Sequence, residues 1–410
     1  MKIDVSARSK RFSDYILREN YLKIEGWFEQ GALTSTTLVA SLQEIKQIRG
    51  GFAEIGVHHG GFFIALALLR RMGENALAID VFEDQQHNID QSGYGDREIL
   101  IENLNHFVGS CDDIGVLKMD SLLLNPDKLI AELGEKVRIF SVDGCHTKEH
   151  TLNDIVLASK VLVPGGVITV DDITNADWPG VKQGVDAFFN TEDGGNFRPF
   201  ACTDNKLFVT ENEFYNFYFQ GLKEFQREVY GKFSTQGMYE TEVISQPFGK
   251  LNWYLDDKSF SNIYGKKRLS TIRFTVAKGF DFSLLKGWSQ PETWGTWSDG
   301  PEACLKVQLS EPPQDDIVLL IKAHGFVTPI HPSVTVEILV NGTIVGQWVF
   351  ASSQEIAEKA FRVSKTIVAD RDLDISFRIS EPHSPNESKE SDDSRLLGIG
   401  LRDMTVLSAD

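Results

Sequence analysis

The pattern of apolar and polar positions changes twice along the chain. Residues 1–49 carry apolar side chains at helical spacing, most clearly over Leu38–Ile48, and this stretch stops at Gly50-Gly51. From residue 51 to about residue 171, short apolar runs alternate with helix-like segments, which is typical of a parallel sheet covered on both faces. The runs predicted as strands are Phe52–Val57, Ala76–Val81, Gly115–Met119, Val137–Val142 and Gly166–Val170.

Two further apolar runs, Phe197–Cys202 and Lys206–Thr210, predict an antiparallel hairpin at the edge of that sheet. The residues after it are aromatic-rich and charged, and we interpret them as a partly helical connector. From residue 268 the helical periodicity fades, and alternating runs with glycine and proline turns predict a β-sandwich. Asn341-Gly342, between two such runs, is a strong hairpin signal. The predicted domains are residues 1–215, 216–267 and 268–410.

The composition narrows the choice of partner and compartment. The 410 residues carry a net charge of −18, which repels phosphate backbones and argues against nucleic acid as a main partner. The cysteines are far apart, which argues against a disulfide framework and a structural zinc site. The sequence lacks an apolar run near the ~20 residues that span a bilayer, and its N-terminus lacks the apolar core of a signal peptide. We expect no membrane span and a cytoplasmic protein.

The segment Glu54–Gly61 follows an apolar run and opens a helix. Its glycines let the backbone turn tightly and approach a ligand closely, and the helix N-terminus offers free N–H groups. Asp80 ends the next predicted strand, where a carboxylate can accept hydrogen bonds from ribose hydroxyls, and Asp120 follows the third, within reach of an adenine edge. Ligands of open α/β sheets bind at the carboxyl ends of strands, so these acids predict a nucleotide-like cofactor.

Five motifs occur in a fixed order: E-I-G-V-H-H-G, A-I-D-V-F, K-M-D-S, S-V-D-G-C-H and V-P-G-G-V-I-T-V-D-D. In this order they resemble the class I S-adenosylmethionine-dependent methyltransferases, over about half of the chain. The resemblance implies a Rossmann-like seven-stranded sheet that includes the hairpin, with S-adenosylmethionine as the cofactor. It places the methionine portion near Glu54, Gly56 and Gly60, and the ribose near Asp80. One departure is His58, which stands where many members have a second glycine and which we include among the cofactor-binding residues.

Three carboxylates are predicted to crowd one edge of this pocket. The fourth predicted strand ends at Asp143 and the fifth at Asp171-Asp172, and neighbouring strands lie about 4.8 Å apart. Unpaired anions this close raise one another's pKa values, and a divalent cation resolves the conflict. All-oxygen ligands favour Mg²⁺ or a similar hard ion. We therefore predict a metal site at Asp143, Asp171 and Asp172.

His146 follows Asp143 closely and is predicted to be the general base. Beside a metal-bound alcohol it would remove the proton, and the alkoxide would attack the sulfonium methyl in line. His58 and His59 are alternative bases. The D-G-x-H motif followed by D-D resembles the metal-dependent sugar O-methyltransferases of antibiotic biosynthesis, which implies the same three ligands and the same base.

These features predict an O-methyltransferase acting on a sugar hydroxyl, in a free saccharide, a nucleotide sugar or a glycan end, in the setting of polysaccharide biosynthesis. The loop Asp84–Asp96 and Trp178 are expected to shape the acceptor pocket. The C-terminal region resembles β-sandwich modules appended to bacterial glycosyltransferases, and Trp294 and Trp297 there are either sugar platforms or turn anchors. Two alternatives stay open: transfer to a small phenolic or metabolite hydroxyl, and a non-catalytic glycan-binding protein. A homo-oligomer is one expectation for such an enzyme.

Overall fold

The chain divides into two compact units, Met1–Leu255 and Asp256–Asp410. Residues 216–255, which we predicted to be part of a connector, lie within the first unit. The computed structural model describes residues 1–409 with the exception of positions 4, 6–7, 231–232, 246–247, 249–250, 256–258, 260, 262–266, 275–281, 293, 352–355, 369 and 388–390.

Helices cover the first unit, and several begin at a polar side chain that caps them. The α-helices are α1 Lys10–Phe12, α2 Gln30–Ile45, α3 Gly61–Leu68, α4 Arg97–Phe107, α5 Pro126–Leu133, α6 Lys148–Val161, α7 Pro179–Phe189 and α8 Tyr215–Tyr230. A π-helical turn covers Ser13–Leu17, and 3₁₀ turns cover Asn20–Lys23, Gln85–His87, Ser121–Leu123, Gly194–Asn196, Asn212–Phe214 and Leu251–Tyr254. Thr147 caps α6 by accepting a hydrogen bond from the N–H of His150, which fixes where this helix begins. Every helix in the described ranges is too short or too polar to pass through a bilayer.

The first unit is built on one sheet in the order β3-β2-β1-β4-β5-β7-β6-β9-β8. Its strands are β1 Gly51–Ile55, β2 Ala76–Asp80, β3 Ile114–Lys118, β4 Val137–Val142, β5 Leu162–Val170, β6 Phe197–Thr203, β7 Lys206–Glu211, β8 Thr235–Met238 and β9 Thr241–Ile244. The pairs among β1 to β5 are parallel, and β7 joins β5 antiparallel as part of the β6–β7 hairpin. The predicted α/β sheet with its terminal hairpin is therefore confirmed.

The sheet continues beyond the seven predicted strands. β9 lies beside β6 through the pairing of Ala201 with Ile244, and β8 follows as the next strand. These two strands come from the region that we predicted to be a connector. Because an unpaired edge exposes backbone N–H and C=O groups, the added hairpin covers the edge that β6 would otherwise leave open.

A buried ion pair ties the helices to the centre of this sheet. Arg138, on β4, is completely buried and its guanidinium lies 3.1 Å from the carboxylate of Glu74. The same guanidinium donates to the side-chain oxygen of Gln43 on α2, and the amide nitrogen of Gln43 donates to the carbonyl oxygen of Arg138. Each buried polar group here has a partner, so the network fixes α2 against β4.

The second unit consists of two antiparallel sheets, as predicted for a β-sandwich. One sheet has the order β10-β19-β14-β17 with β12 also paired to β19, and the other has the order β11-β13-β18-β15-β16. The strands are β10 Arg268–Arg273, β11 Phe282–Lys286, β12 Thr296–Asp299, β13 Glu302–Gln308, β14 Ile317–Gly325, β15 Val334–Val340, β16 Thr343–Phe350, β17 Ala357–Val363, β18 Asp372–Ile379 and β19 Leu397–Ser408.

The core of this unit follows the alternation of each strand. On β15, for example, Val336 and Ile338 are fully buried, while Thr335 and Glu337 on the other face are partly exposed. The predicted turn at Asn341-Gly342 joins β15 to β16, and both residues have positive φ angles, +47° and +80°. Two consecutive left-handed residues are typical of the tight hairpin turn whose twist matches the flanking strands.

Candidate functional site

A cavity of about 560 Å³ opens at the carboxyl ends of β1, β2, β4 and β5. This is the edge at which open α/β sheets bind their ligands. The predicted site residues that line it are Glu54, Gly56, His58, Asp80, Asp120, Asp143, His146 and Asp172. Of the predicted site residues, all of which are described, Gly60 and Asp171 stay outside this lining.

Glu54 is the most unusual charged group in the cavity wall. It lies near the end of β1 and is 1% exposed. Within the described part of the chain, neither oxygen of its carboxyl group makes a hydrogen bond of ordinary geometry, although the Ser141 hydroxyl lies near enough to lower the pKa. Burial raises the pKa of Glu54 to about 8, against the opposing effect of the nearby Lys206 ammonium. Glu54 is therefore mostly protonated at pH 7, and a cationic group of a ligand would favour its charged form.

The turn from β1 into α3 depends on a glycine and on Asp80. Gly56 has a φ of +84°, and a Cβ atom there would lie 1.9 Å from the carbonyl oxygen of Asp143. Oδ2 of Asp80 accepts hydrogen bonds from the backbone N–H groups of Val57 and His58, both at 2.9 Å. The predicted contact of Asp80 with a ribose therefore comes in addition to a structural role in this loop.

His58 and Gly60 complete the same turn. His58 has a left-handed backbone, with a φ of +49°, a conformation that favours glycine. Gly60, with a φ of +91°, is the N-cap of α3. The ring of His58 lies 3.8 Å from that of His59 and 5.4 Å from that of Trp27. Burial lowers the pKa of His58, and His59 lowers it further, so the imidazole is neutral at pH 7.

Asp120 lies at a second corner of the cavity, among histidines. Its Oδ1 accepts a hydrogen bond from the N–H of Leu122, so it caps the turn Ser121–Leu123. Its other oxygen, Oδ2, lies 3.3 Å from Nδ1 of His87, and Oδ1 lies 3.8 Å from Nε2 of His150. The corner that we predicted to face an adenine therefore offers two imidazole rings beside the carboxylate.

Asp143, His146 and Asp172 form a compact group. One potential ligand atom from each lies within 4.8 Å of the others. Burial raises the pKa of Asp143 well above its usual range, and the carboxylate of Asp171 raises it further. Asp172 has a φ of +58°, so the chain turns sharply just after β5. This turn gives Asp171 and Asp172 different partners, although they are consecutive.

Asp171 pairs with a lysine. Nζ of Lys206 lies 2.7 Å from Oδ2 of Asp171 and 4.4 Å from the ring centroid of Phe62. Lys206 is completely buried, and the pairing of Val170 with Leu207 between β5 and β7 places it beside Asp171. We predicted Asp171 to be the third metal ligand, whereas the structure groups the other two carboxylates with His146. A ligand role for Asp171 stays a prediction.

His146 is held between two carboxylates and an aromatic ring. Its Nδ1 lies 2.8 Å from Oδ2 of Asp90, and its Nε2 lies 3.0 Å from Oδ2 of Asp172. The imidazole stacks on the indole of Trp178 with 4.4 Å between the centroids. Burial opposes the charged imidazolium, but hydrogen bonds to Asp172 and Asp90 outweigh it and raise the pKa of His146 to about 9. His146 is therefore protonated at neutral pH and becomes a base only when one carboxylate takes another partner.

Several contributors to this site were missed by the sequence analysis. Asp90 lies in the polar loop that we assigned to the acceptor pocket, but no motif marks it as the partner of His146. Asn205 donates to Oδ1 of Asp172 at 2.7 Å, and it lies with Lys206 at the turn between β6 and β7. Trp27 comes from the segment before α2 and is 73% exposed at the cavity wall. The one sequence feature that could have indicated Asn205 is the predicted hairpin, because its turn lies beside the end of β5.

The side chains fit the predicted cofactor closely and the predicted cation in part. An unpartnered buried carboxylate at Glu54, beside a backbone turn that only glycine allows at Gly56, fits a ligand that carries an ammonium group. The group at Asp143 and Asp172 offers carboxylate oxygens to a divalent cation, with the imidazole of His146 alongside. This ligand set differs from the all-oxygen set that we predicted, since it includes an imidazole. An imidazole also suits ions softer than Mg²⁺.

Two family models match the chain. Residues 53–173 match a model described as a methyltransferase domain, and residues 267–408 match one described as a domain of unknown function. No curated protein matches the chain. The first match agrees with the strand order and with the motifs, so residues 53–173 are similar to a methyltransferase domain.

The structural likenesses are distant. The O-methyltransferase NovP is 15% identical and has a TM-score of 0.39, with 44% of this chain and 80% of that one covered. CalS11, a TDP-rhamnose 3′-O-methyltransferase of calicheamicin biosynthesis, is 14% identical with a TM-score of 0.35, covering 51% and 99%. An O-methyltransferase from Bacillus cereus in complex with SAH is 14% identical with a TM-score of 0.36, covering 51% and 93%. We draw nothing about the substrate from likenesses this distant.

Proposed function

We propose that this protein is an O-methyltransferase that transfers the methyl group of S-adenosylmethionine to a sugar hydroxyl, with a divalent cation and with His146 as general base. The observation that carries the proposal is the group of Asp143, His146 and Asp172 in the wall of the same cavity as the unpartnered Glu54. A general base, two carboxylates for a cation and a cradle for an ammonium group are what methyl transfer to an alcohol requires in one place.

Residues in the cavity wall of the first unit would hold the cofactor. S-adenosylmethionine supplies a methyl group on a sulfonium. Glu54 accepts hydrogen bonds from the ammonium of the methionine portion, which removes the cost of its burial. Asp80 accepts hydrogen bonds from the N–H groups of Val57 and His58 and so holds the loop around Gly56 in the shape that would let the backbone approach the ligand closely. Asp120 and the adjacent imidazoles of His87 and His150 would contact the adenine of the cofactor.

Asp143 and Asp172 would hold the cation. A divalent cation at this position supplies a positive charge that lowers the pKa of an alcohol. Asn175 and Asn205 donate to Oδ1 of Asp172 at 2.8 and 2.7 Å, so they orient this carboxylate and leave Oδ2 toward the group. Lys206 neutralises Asp171, which keeps a third negative charge away from the cation position.

His146 moves the proton. When Asp172 no longer supports the charge on its Nε2, the larger of the two hydrogen bonds that raise its pKa is lost. Asp90 still accepts from Nδ1, which fixes the tautomer with the basic Nε2 toward the cavity. The proton of the acceptor hydroxyl passes to Nε2 while the acceptor oxygen forms its bond to the methyl carbon and the bond from that carbon to sulfur breaks. The products are a methyl ether, neutral S-adenosylhomocysteine and a protonated His146.

The acceptor side of the cavity favours a polyol. The loop between β2 and α4 lines the cavity with amide and hydroxyl side chains, namely Gln85, Asn88, Gln91 and Ser92. Such groups both donate and accept, as sugar hydroxyls do. Trp178 has one face covered by His146, so it positions the general base. Trp27, whose ring lies 5.4 Å from that of His58, offers an exposed indole at the cavity wall. A sugar ring stacked on Trp27 would be the acceptor.

The test is calorimetric titration with S-adenosylmethionine, with and without Mg²⁺, on the native chain and on Asp143→Asn. We expect cofactor binding by both and cation binding by the native chain alone. Methyl glycosides, a nucleotide sugar and catechol are then offered as acceptors, and S-adenosylhomocysteine is measured by mass spectrometry. Turnover of a sugar that EDTA abolishes supports the proposal. Absence of cofactor binding would overturn it, and turnover of catechol alone would replace the sugar by a phenolic acceptor.

A further inference from the structure

The second unit carries a cluster of aromatic rings on the outer face of one of its two sheets. Strand register places Trp297 of β12 and His324 of β14 on either side of Gly400 of β19. Because Gly400 has no side chain, the two rings meet above it with 4.6 Å between centroids. Trp294 joins them, at 5.4 Å from Trp297 and 4.8 Å from His324. A Cβ atom at Gly400 would lie 2.7 Å from His324, so the cluster depends on glycine there.

These indoles differ from the other indoles of the unit. Trp348 belongs to the apolar core, and Trp288 packs against it. Trp294 and Trp297, both partly exposed, lie outside the core as the described residues define it. Tryptophans that only anchor the fold would be expected among the core residues, since they bury more apolar area than other side chains.

Charged groups orient Trp294 in addition to its contacts with the two rings. Its Nε1–H donates to Oε2 of Glu292 at 2.9 Å, and Glu292 lies 3.6 Å from the guanidinium of Arg395. Arg395 in turn makes paired hydrogen bonds to Asp393. The guanidinium of Arg402 lies 5.8 Å from the ring centroid of Trp294. The ring is therefore fixed at the surface with donors and acceptors around it.

Two nitrogen atoms of this cluster are left without partners. In the described part of the chain, Nδ1 of His324 and Nε of Arg402 are buried and make no hydrogen bond. Burial lowers the pKa of His324 to about 4, and the charge of Arg402 lowers it further, so the imidazole is neutral and can accept or donate. Both side chains as a whole are only partly buried, so they place polar groups beside the rings.

We propose that Trp294, Trp297, His324 and Arg402 form a carbohydrate-binding site on the second unit, separate in function from the methyltransferase cavity. The apolar C–H face of a pyranose ring packs on the indoles, and its hydroxyls hydrogen-bond to His324, Arg402 and the Glu292–Arg395 pair. Among ligand classes, a neutral sugar matches this combination of flat apolar rings with a rim of mixed donors and acceptors. Through this site, the chain binds a glycan independently of methyl transfer.

The test uses the full chain at pH 7 with cellohexaose, maltohexaose, mannohexaose and chitohexaose, each titrated separately by calorimetry and by tryptophan fluorescence. We expect saturable binding of at least one of them. Trp297→Ala and Trp294→Ala should each weaken it by about tenfold or more, since buried aromatic anchors dominate binding energies. Trp297→Phe, which keeps an aromatic ring, should lose less. Val349→Ala, at an exposed position of the other sheet, is the matched control.

Far-UV circular dichroism checks that each variant is folded. The proposal is overturned if none of the four hexasaccharides binds, or if binding survives both tryptophan-to-alanine changes. Asp143→Asn separates the two sites: it should leave hexasaccharide binding intact. Binding lost in Asp143→Asn but kept in the tryptophan variants would assign the glycan to the methyltransferase cavity and overturn the second site. Failure of methyl transfer, by contrast, would leave these binding results unchanged.

Discussion

The two units differ in where their charged side chains lie. Among the described residues, the buried aspartate, glutamate, lysine and arginine side chains all belong to the first unit: Glu54, Glu74, Arg138, Asp154 and Lys206. In the second unit, the ion pairs lie at the surface, as between Lys306 and Asp372, where both side chains are nearly half exposed. Its interior is an apolar cluster built from alternate positions of its strands.

This difference separates what holds a fold together from what it does. Burying a charge is costly, and replacing a buried pair by apolar groups often stabilises a protein. A unit that keeps a carboxylate at Glu54 unpartnered in a cavity wall is therefore carrying a cost that stability does not explain. The second unit carries no such charge in its described interior, and its unpartnered nitrogens lie in the surface cluster instead.

The sharpest way to test the comparison is to remove the base. His146→Gln should lower kcat by about 10²–10⁴-fold, because general-base catalysis contributes that much, while S-adenosylmethionine affinity stays unchanged. Steady-state kinetics and calorimetry on the same preparation measure both. A parallel loss of cofactor affinity would mean that His146 supports the cavity rather than the proton transfer.

A smaller effect is expected from Glu54→Gln, and its sign depends on pH. The pKa of Glu54 is raised from 4.5 to about 8, so the stability linked to its proton is fully present below pH 4.5 and lost as pH rises through 8. The glutamine variant should therefore match the native chain near pH 4.5 and be more stable at pH 9, by up to a few kcal/mol at about 1.4 kcal/mol per pKa unit. It should also bind S-adenosylmethionine more weakly.

Denaturant unfolding at the two pH values measures that difference. Asp171→Asn provides the contrast, because it leaves the buried Lys206 without its acid and should lower stability instead of raising it. Equal stability of the native chain and Glu54→Gln at pH 9 would show that Glu54 is not buried at a cost. The comparison between the units would then lose its main support.

The smallest effect is expected at the surface of the second unit. Lys306→Met removes the exposed pair with Asp372, at 3.0 Å, and should leave the free energy of unfolding almost unchanged. It should leave kcat and cofactor affinity as they are. A clear loss of stability in chemical denaturation would show that this surface pair contributes to the fold, against the contrast drawn between the two units.

The sequence predicted the helices and strands more completely than the contacts between them. The alternation of apolar runs with helices gave β1 to β5 and the β6–β7 hairpin, because each strand has its own local pattern. The strands β8 and β9 were missed, since they are short, and only Val243 and Ile244 are fully buried. Their place in the sheet comes from pairing with β6, which no local pattern records.

The candidate site shows the same limit. Asp143, His146 and Asp172 could be brought together from the sequence because each follows a strand whose neighbours were known. Asp171 could not be separated from Asp172, since this requires the backbone turn at Asp172 and the register between β5 and β7. Asp90 lies in a loop without periodicity, so only the folded chain shows that it contacts His146.

The ion pair between Asp171 and Lys206 has a consequence for how this sequence can vary. A lysine buried without its acid, or an acid buried without its lysine, leaves an uncompensated charge inside the sheet. A substitution at only one of the two positions is therefore destabilising. Substitutions are tolerated when both residues change together, for instance to a pair of apolar residues. In a set of homologous chains, positions 171 and 206 should covary, and an isolated change at one of them should be rare.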